Sequence, residues 1–391
     1  MILKILFWIF LILIIYAYVG YALLLLLLTS FRIIFYRKEQ HRVEIFEPFV
    51  TLLIPAYNEA EYVVAKVNNC LALNYPREEL RILWVTDGTT DNTNSILESF
   101  PEISTLYDKS RRGKIHAMNR GMQVAETPIV IFTDANTMLN ADAIREIVLL
   151  FTDENTGCVT GEKRISADGL QKAVGAGEGL YWQYESWIKR LESEIASVMG
   201  AVGELFAVRS ELYQPVKDDT LLDDFTISMQ ILQKGYRVKY APKAWGTETA
   251  SLNMAEELKR KTRIAAGGIQ ALTRMAGLLN PFRHGIIALM YFSHKVLRWT
   301  LVPLSIPLIF VLNLVIVCQP VNNKVYMVML VLQVIFYLMV LAGAALKNVR
   351  FRFRAIFAPF YLFVMNYAII RGFIEYLSGR YSVNWQKVKR S

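Results

Sequence analysis

The sequence Val50-Thr51-Leu52-Leu53-Ile54 is a short apolar run, followed at once by Pro55-Ala56-Tyr57-Asn58-Glu59. An aliphatic run of this length that ends in turn-forming residues is typical of a buried strand. Ile82–Val85 and Ile129–Phe132 repeat the pattern. Patterns typical of helices lie between or after these runs, at residues 60–71, 92–100 and 141–151. The alternation predicts an α/β domain over residues 48–250, built from βαβ units on a mainly parallel central sheet.

The composition of the whole chain indicates a membrane protein. Its 391 residues are 54% apolar, and the mean hydropathy is +0.31, whereas soluble domains contain about 45–50% apolar residues. The net charge of +9 is a modest excess, which favours cytoplasmic loops and anionic membrane lipid over nucleic acid as a partner. Three widely spaced cysteines form neither a disulfide framework nor a zinc-binding pattern.

A first membrane anchor is predicted over residues 1–31. Ile5–Leu28 contains 24 residues without a charge, which as a helix would measure about 36 Å and cross a bilayer core of about 30 Å. The run is too long for a cleaved signal peptide, and no small-residue cleavage site follows it. Basic residues placed directly after it put this flank in the cytoplasm by the positive-inside rule: Arg32, Arg37, Lys38 and Arg42.

A second membrane region is predicted over residues 296–391, with spans near 299–318 and 325–346 that form a hairpin. The basic side chains that follow the hairpin return the chain to the cytoplasm: Lys347, Arg350, Arg352 and Arg354. Residues 355–377 are interpreted either as a further span or as a re-entrant segment. The whole pattern predicts a multi-pass inner-membrane protein whose central domain is cytoplasmic.

Basic and apolar residues alternate in blocks between the central domain and this second membrane region. Residues 251–295 are predicted to form interfacial amphipathic helices on anionic lipid. The basic block consists of Lys259, Arg260, Lys261 and Arg263.

Acidic side chains follow each of the three predicted strands, at Glu59, Asp87 and Asp134. Because the carboxyl ends of parallel strands meet at one edge of a sheet, ligands bind there. Carboxylate and amide oxygens suit a hard divalent cation such as Mg²⁺ or Mn²⁺, which bridges to substrate phosphates. Asp91 is equally well interpreted as a helix cap.

Six short motifs, in this order and spacing, resemble those of a membrane-bound family-2 glycosyltransferase with a GT-A catalytic domain. The resemblance covers residues 48–270 and the order of anchor, catalytic domain and hydrophobic hairpin. The motifs are Ile54–Glu59, Val85–Asp91, Arg112–Lys114 with Asn119, Phe132–Asn136, Gly200–Gly203 with Arg209, and Leu222–Phe225.

The resemblance implies transfer of a sugar from a nucleotide-sugar, usually UDP-linked, to an acceptor hydroxyl with inversion. Ala56, Tyr57 and Glu59 match the loop that holds the base and ribose, and Asp87 matches the acidic residue that reads the uracil. Lys114 opens a helix after a basic loop, which favours a phosphate.

The resemblance also assigns the metal and the chemistry. Asp134 and Asn136 match the metal motif, where an amide replaces the usual second carboxylate and weakens binding of Mg²⁺ or Mn²⁺. Asp224 matches the general base, and the like charge of Asp223 raises the upper pKa of the pair. The same two aspartates also fit the acidic first turn of a helix.

Two departures and one aromatic stripe bear on the acceptor. Arg263 aligns with the arginine that contacts the donor diphosphate in processive relatives, but their neighbouring Gln and Trp are absent, which favours single addition. The stripe at helical spacing fits core packing, an interfacial belt or stacking on an acceptor sugar. Its members are Tyr181, Trp182, Tyr184 and Trp187.

The predicted function is therefore an inverting glycosyltransferase of cell-surface glycan synthesis. It moves a sugar from a UDP-sugar to a hydroxyl of a lipid-linked or polysaccharide acceptor at the cytoplasmic membrane face. The first alternative is a processive polysaccharide synthase of the same family. A transporter or nucleotide-binding scaffold is the remote alternative, because the three best spans contain no ionisable residue of the kind that transport needs.

Overall fold

The computed structural model describes residues 1–35, 46–166, 173–249, 251–320, 324–345 and 354–379. Most of the basic residues that predict the membrane orientation, at 37–42 and 347–352, lie outside these ranges.

The N-terminal helix is a single apolar rod with one π-helical turn. α1 (Ile2–Ile15) continues through Tyr16–Gly20 into α2 (Tyr21–Phe35). The guanidinium group of Arg32 donates hydrogen bonds to the last carbonyls of a helix in the central domain, including that of Ile195 at 2.6 Å. The helix is therefore attached to the central domain as well as long enough to cross a bilayer.

The central domain alternates strands and helices as predicted. Its elements in chain order are β1 (Val50–Ala56), α3 (Ala60–Leu71), β2 (Leu80–Asp87), α4 (Thr93–Leu97), β3 (Ser104–Asp108), α5 (Lys114–Val124), β4 (Ile129–Thr133), β5 (Met138–Leu139), α6 (Ala143–Val148), β6 (Thr156–Ile165), α7 (Ala173–Ile195), β7 (Leu205–Arg209), α8 (Asp223–Gln233) and β8 (Arg237–Glu248). The helices predicted at 92–100 and 141–151 are shorter than expected, and the second continues as the 3₁₀ turn Leu149–Thr152.

One sheet runs through the domain in the order β3-β2-β1-β4-β7-β6-β8-β5. The strands β3, β2, β1 and β4 are all parallel. The remainder is mixed, because β7 runs antiparallel to both of its neighbours and β5 runs antiparallel to β8. The α/β prediction is confirmed, and the parallel arrangement holds for the half of the sheet whose strand ends carry the predicted site.

Apolar side chains cover both faces of the sheet. β1 is buried along its whole length, which explains why its sequence is continuously apolar rather than alternating. Helices α3, α4 and α6 pack on one face, and α5, α7 and α8 on the other. The second layer also contains Tyr21 and Leu25 of α2 and Tyr291, so the N-terminal helix forms part of the core.

The C-terminal part is helical throughout the described ranges. Its elements are α9 (Met254–Arg274), α10 (Pro281–His284), α11 (Ile286–Tyr291), α12 (Leu297–Trp299), α13 (Leu301–Val317), α14 (Lys324–Ala345) and α15 (Arg354–Leu377).

Within the described ranges, three helices are long and apolar enough to cross a membrane: Ile2–Arg32, Lys324–Ala345 and Ala358–Leu377. A fourth is obtained if Ile286–Trp299 and Leu301–Val317 count as one span, bent by 53°. The helix is interrupted at Thr300, the second residue of segment 299–318, which is predicted as one continuous span. All of these helices are identified as candidate spans by their length and composition.

Helices α9 and α15 approach each other closely at a glycine. A Cβ atom on Gly372 would lie 2.6 Å from the carbonyl oxygen of Thr262 and 2.7 Å from the amide nitrogen of Ala266. A larger side chain there must push the two helices apart. The contact therefore ties a candidate membrane span to the helix that carries Arg263.

We expect Gly372→Val to lower the unfolding midpoint of the protein in detergent, by an amount equivalent to about 1–3 kcal/mol of overpacking. Gly277→Ala is the matched control, because a Cβ atom there would lie 3.8 Å from its nearest neighbour, Gln233. Thermal unfolding followed by circular dichroism provides the measurement. Equal midpoints for both variants would contradict the close packing of α9 on α15.

Candidate active site

The loops that follow β1 and β2 are bound to each other by polar side chains. Asn58 adopts a positive φ of 53°, and its Oδ1 accepts a hydrogen bond from the amide of Thr90 at 2.8 Å. Asp91 accepts from the amides of Ala60 at 3.2 Å and Thr93 at 3.0 Å. The carboxylate of Asp91 therefore connects the first residues of α3 and α4. This role is close to the helix cap that the sequence suggested.

Asp87, the last residue of β2, organises the basic loop that precedes α5. Its Oδ2 accepts hydrogen bonds from the amides of Arg112 at 2.9 Å and Gly113 at 2.6 Å. Gly88 follows with a φ of +63°, and a Cβ atom there would lie 2.6 Å from the amide nitrogen of Arg111, so the two loops touch. The other carboxylate oxygen, Oδ1, is buried without a hydrogen bond among the described residues, and Nδ1 of His116 lies 3.9 Å from it.

A narrow groove lies beside this carboxylate. It is lined by Ala56 and Tyr57 from the end of β1 and by Asp87 and Arg111 from the neighbouring loops. The guanidinium carbon of Arg111 lies 3.8 Å from the centre of the Tyr57 ring. An aromatic ring, a cation that covers one of its faces and a carboxylate are thus in one place, an arrangement suited to a nucleobase.

Lys114, the first residue of α5, lies between two carboxylates from other segments. Its Nζ is 2.8 Å from Asp134 Oδ1, just beyond β4, and 3.1 Å from Asp223 Oδ2 at the start of α8. Burial opposes its charge, but the carboxylates of Asp134 and Asp223 raise the pKa of Lys114 above its ordinary value. The ammonium group is therefore fixed and charged.

The paired aspartates at the start of α8 have opposite environments. Burial would raise the pKa of Asp223, but the Lys114 ammonium outweighs it and holds that pKa below the usual value. For Asp224, burial and then the neighbouring Asp223 carboxylate raise the pKa to about 7. Asp223 is thus a charged counterion of Lys114, and Asp224 accepts or releases a proton near neutral pH.

These groups border one cleft of about 250 Å³. Glu59 and Asn136 line the same cleft, and so does Arg263 from α9. The predicted residues from β1, β2, β4, α5, α8 and α9 therefore meet in one region. Ala56, Tyr57 and Asp87 face the adjoining groove, which shares Gly113 and Lys114 with the cleft.

The oxygen ligands present fit a divalent cation that takes few protein ligands. Among the described residues, no group of three or more His, Cys, Asp or Glu side chains is arranged to hold a metal ion. Asp134 and Asn136 supply one carboxylate and one amide oxygen, which leaves positions for water and phosphate. Burial raises the pKa of Asp134, and Lys114 offsets this only in part, so added positive charge would be favourable there.

Two motif residues have structural roles that the sequence did not reveal. Asn119 binds the backbone of Val216 through both its amide nitrogen, at 2.9 Å, and its oxygen, at 3.2 Å. Arg209 donates to the carbonyls of Phe151 at 2.7 Å and Thr156 at 2.8 Å. Asn119 thus holds the segment just before Asp218, which lines the cleft, whereas Arg209 stabilises the opposite edge of the sheet, where β4 and β6 begin.

The membrane-facing side of the cleft contains a buried charged network that sequence reasoning missed. Glu192 of α7 accepts hydrogen bonds from the Tyr21 hydroxyl at 2.6 Å and the Met199 amide at 3.1 Å, and its Oε1 lies 2.6 Å from Nδ1 of His294. Glu185 accepts from Arg298 at 2.7 Å. No sequence spacing indicated this network, because its members come from three distant segments: Tyr21, residues 185–199 and residues 294–298.

The mixed sheet, with the cleft at the ends of its parallel strands, has the GT-A type of fold. Residues 51–214 match the family model described as glycosyl transferase family 2. The chain therefore carries a glycosyltransferase family 2 domain, which confirms the resemblance drawn from the motifs.

The relatives that it matches are polysaccharide synthases. Poly-beta-1,6-N-acetyl-D-glucosamine synthase of Staphylococcus aureus (strain COL) is 29% identical over 238 residues, which are 58% of this chain and 56% of that protein. The enzyme of the same name from Staphylococcus epidermidis is 27% identical over 256 residues, or 62% of this chain and 59% of that protein. The match thus spans less than two thirds of either relative.

A solved structure extends the likeness to nearly the whole chain. It is the mannosyltransferase PcManGT from Pyrobaculum calidifontis, in complex with GDP-Man and Mn²⁺. The TM-score is 0.70 with 21% sequence identity, over 96% of this chain and 100% of that chain. At this identity, the likeness establishes the shared fold.

We expect Asp87→Ala to loosen the basic loop before α5, because the amides of Arg112 and Gly113 lose their acceptor. Backbone hydrogen exchange in that loop should become about 10–100-fold faster, the effect of losing charge-assisted hydrogen bonds. Asp91→Ala is the matched control and should instead affect the amides of Ala60 and Thr93. Unchanged exchange at residues 112–113 in Asp87→Ala would contradict this arrangement.

Proposed function

We propose that this protein is a membrane-bound, inverting glycosyltransferase that moves a sugar from a UDP-sugar to a hydroxyl of a lipid-linked or polysaccharide acceptor. The observation that carries the proposal is the convergence of charged groups from separate segments in one cleft. Lys114 contacts both Asp134 and Asp223, and Asp224 follows directly in the chain. A cation set among three acidic groups beside an aromatic groove suits a nucleoside diphosphate and a proton acceptor.

Each part of the donor has a candidate partner. The uracil ring would stack in the groove by Tyr57, and its N–H would donate to the Oδ1 atom of Asp87. Glu59, which is buried and lines the cleft, would contact the ribose. Lys114 and Arg263 would bind the diphosphate as charge-assisted donors.

The chemistry of transfer needs a base and a stabilised leaving group. Asp224 removes the proton from the acceptor hydroxyl as its oxygen attacks the anomeric carbon, and the bond to the diphosphate breaks on the opposite side. Lys114 and Arg263 neutralise the charge that develops on the departing UDP. A divalent cation held by Asp134 and Asn136 would supply further positive charge at the same phosphates.

The location of the reaction follows from the helices around the cleft. Apolar helices long enough to cross a membrane lie at both ends of the chain, and their packing against α7 and α9 brings the cleft to the membrane. We place the catalytic domain at the cytoplasmic face of the inner membrane, where UDP-sugars are available. Cell-surface glycan synthesis is the corresponding process.

A processive polysaccharide synthase is the second candidate, favoured by the names of the Staphylococcus relatives. Against it, Arg263 lacks the neighbouring Gln and Trp of the processive motif, and three or four candidate spans leave little room for a polymer channel. The size of the product discriminates the two, since one added sugar supports a transferase and a ladder supports a synthase.

We expect Asp224→Asn to reduce sugar transfer by about 10²–10⁴-fold, the contribution of a general base. Release of UDP from a panel of UDP-sugars, with membrane lipid and with or without Mn²⁺, provides the measurement. GDP-mannose in the same assay tests which nucleotide the donor site prefers. Asp142→Asn, an exposed position outside the cleft, is the control and should retain transfer. Full activity of Asp224→Asn would refute the proposal.

The rate at saturating substrate should fall as the pH drops through about 7, because the protonated form of Asp224, whose pKa is raised to about 7, cannot accept a proton. Asp223→Asn should shift this midpoint to lower pH, since it removes the like charge that raises the pKa of Asp224. Asp223→Glu keeps the charge and serves as the control. A midpoint that is the same in all three proteins would contradict the coupling.

A further inference from the structure

Helix α7 forms a wall of the cleft with residues four apart. Tyr181, Glu185 and Lys189 all line the cleft, and this spacing places them on one face of the helix. Glu185 is neutralised by Arg298 at 2.7 Å. Lys189 lies one turn further along the same face.

Lys189 is a buried cation without a carboxylate partner in the described parts of the chain. Its side chain is 5% exposed, and its Nζ lies 5.4 Å from the centre of the Trp182 ring. Other buried lysines have close acceptors, such as Glu248 for Lys163 at 2.7 Å and the Thr133 hydroxyl for Lys66 at 3.2 Å. An unpaired buried charge is unfavourable in the free protein, and an anion in the cleft would relieve it.

A second cation reinforces this need for an anion. Lys295 also lines the cleft, and burial together with its positive charge lowers the pKa of Lys189 to about 8. Lys295 is only loosely paired, 4.0 Å from Glu185. Lys295 therefore has one distant carboxylate, Glu185, which Arg298 already compensates, and Lys189 has no ion pair among the described residues.

The same wall continues into a second cavity on the membrane side, of about 470 Å³. Tyr181, Lys295 and Trp299 border both the cleft and this cavity. Side chains from two candidate membrane spans complete it, among them Tyr18 and Leu362. An apolar space between membrane helices thus connects with a positively charged part of the cleft.

We propose that Lys189, supported by Lys295, binds the phosphate of a lipid-linked acceptor whose hydrocarbon chain occupies the membrane-side cavity. This inference rests on the proposed glycosyl transfer and narrows its acceptor to an anionic lipid. The donor diphosphate has separate cations, Lys114 and Arg263, beside Asp134. The acceptor phosphate would hold the acceptor hydroxyl towards Asp224, whose helix contacts the shared wall where Phe225 and Trp299 lie 5.1 Å apart, centre to centre.

The test is a calorimetric titration of the purified full chain in detergent with farnesyl phosphate. We expect Lys189→Gln to weaken this binding about 10–100-fold, as expected for the loss of a charge-assisted contact. Lys189→Arg keeps the charge and should retain binding, and Lys243→Gln, at a lysine whose side chain is 78% exposed, is the surface control. Lys189→Met keeps the packing on Trp182 and should match Lys189→Gln, which separates loss of charge from misfolding.

Two further ligands distinguish the source of the anion. Farnesol tests the hydrocarbon chain alone, and inorganic phosphate tests the charge alone. Both should bind more weakly than farnesyl phosphate. Equal binding of farnesol, equal binding of inorganic phosphate, or wild-type affinity in both Lys189→Gln and Lys189→Met would each overturn the inference.

The titration contains no sugar donor, so its outcome is independent of catalysis. Absence of transfer from every donor would defeat the proposed function, whatever the result of the lipid titration. Transfer to a neutral glycan with unchanged kinetics in Lys189→Gln, together with no farnesyl phosphate binding, would defeat only the inference about the acceptor.

Discussion

The contact of the Lys114 ammonium group with Asp134 and Asp223 is the interaction on which the arrangement of the cleft depends. The three residues belong to α5, the exit of β4 and the start of α8, which lie far apart in the chain. A buried carboxylate is unstable unless a cation compensates it, so Lys114 holds the two acidic segments in one place. The position of Asp224, one residue beyond Asp223, follows from that contact.

The charge of the cleft is also arranged for a substrate. Asp134 remains undercompensated, one buried oxygen of Asp87 has no hydrogen bond, and Lys189 has no carboxylate partner in the described parts of the chain. Each of these features is unfavourable without a ligand. A bound cation or N–H donor would stabilise the two carboxylates, and a bound anion would stabilise Lys189. Such imbalance is typical of sites that bind charged ligands.

Local sequence patterns predicted the first half of the domain well. β1, β2 and β4 are short aliphatic runs that end in acidic residues, and parallel strand ends must meet, so Asp87 and Asp134 could be placed from sequence. The antiparallel direction of β7 could not, because no local pattern of residues 205–209 distinguishes the two directions. Asn119 and Arg209 were noted as motif members, but their hydrogen bonds to loop carbonyls depend on the assembled fold.

The membrane-facing wall was less predictable still. Tyr181 and Trp182 belong to an aromatic stripe whose spacing fits several roles. Lys189 belongs to no motif in the sequence. Its significance depends on α12, α15 and the π-helical turn Phe292–Val296, which contact α7 over long sequence separations. The same contacts, with Glu192 bound to Tyr21, make the N-terminal helix part of the domain core as well as a candidate membrane span.

The central claim is that Lys114 and Asp134 together form the site of the donor diphosphate. Calorimetric titration of UDP into the purified chain, with and without Mn²⁺, tests it most directly when wild type is compared with Lys114→Met and Asp134→Asn. We expect Lys114→Met to weaken UDP binding about 10–100-fold, and Asp134→Asn to abolish the increase in affinity that Mn²⁺ gives. Wild-type UDP affinity and an unchanged Mn²⁺ effect in both variants would contradict the account.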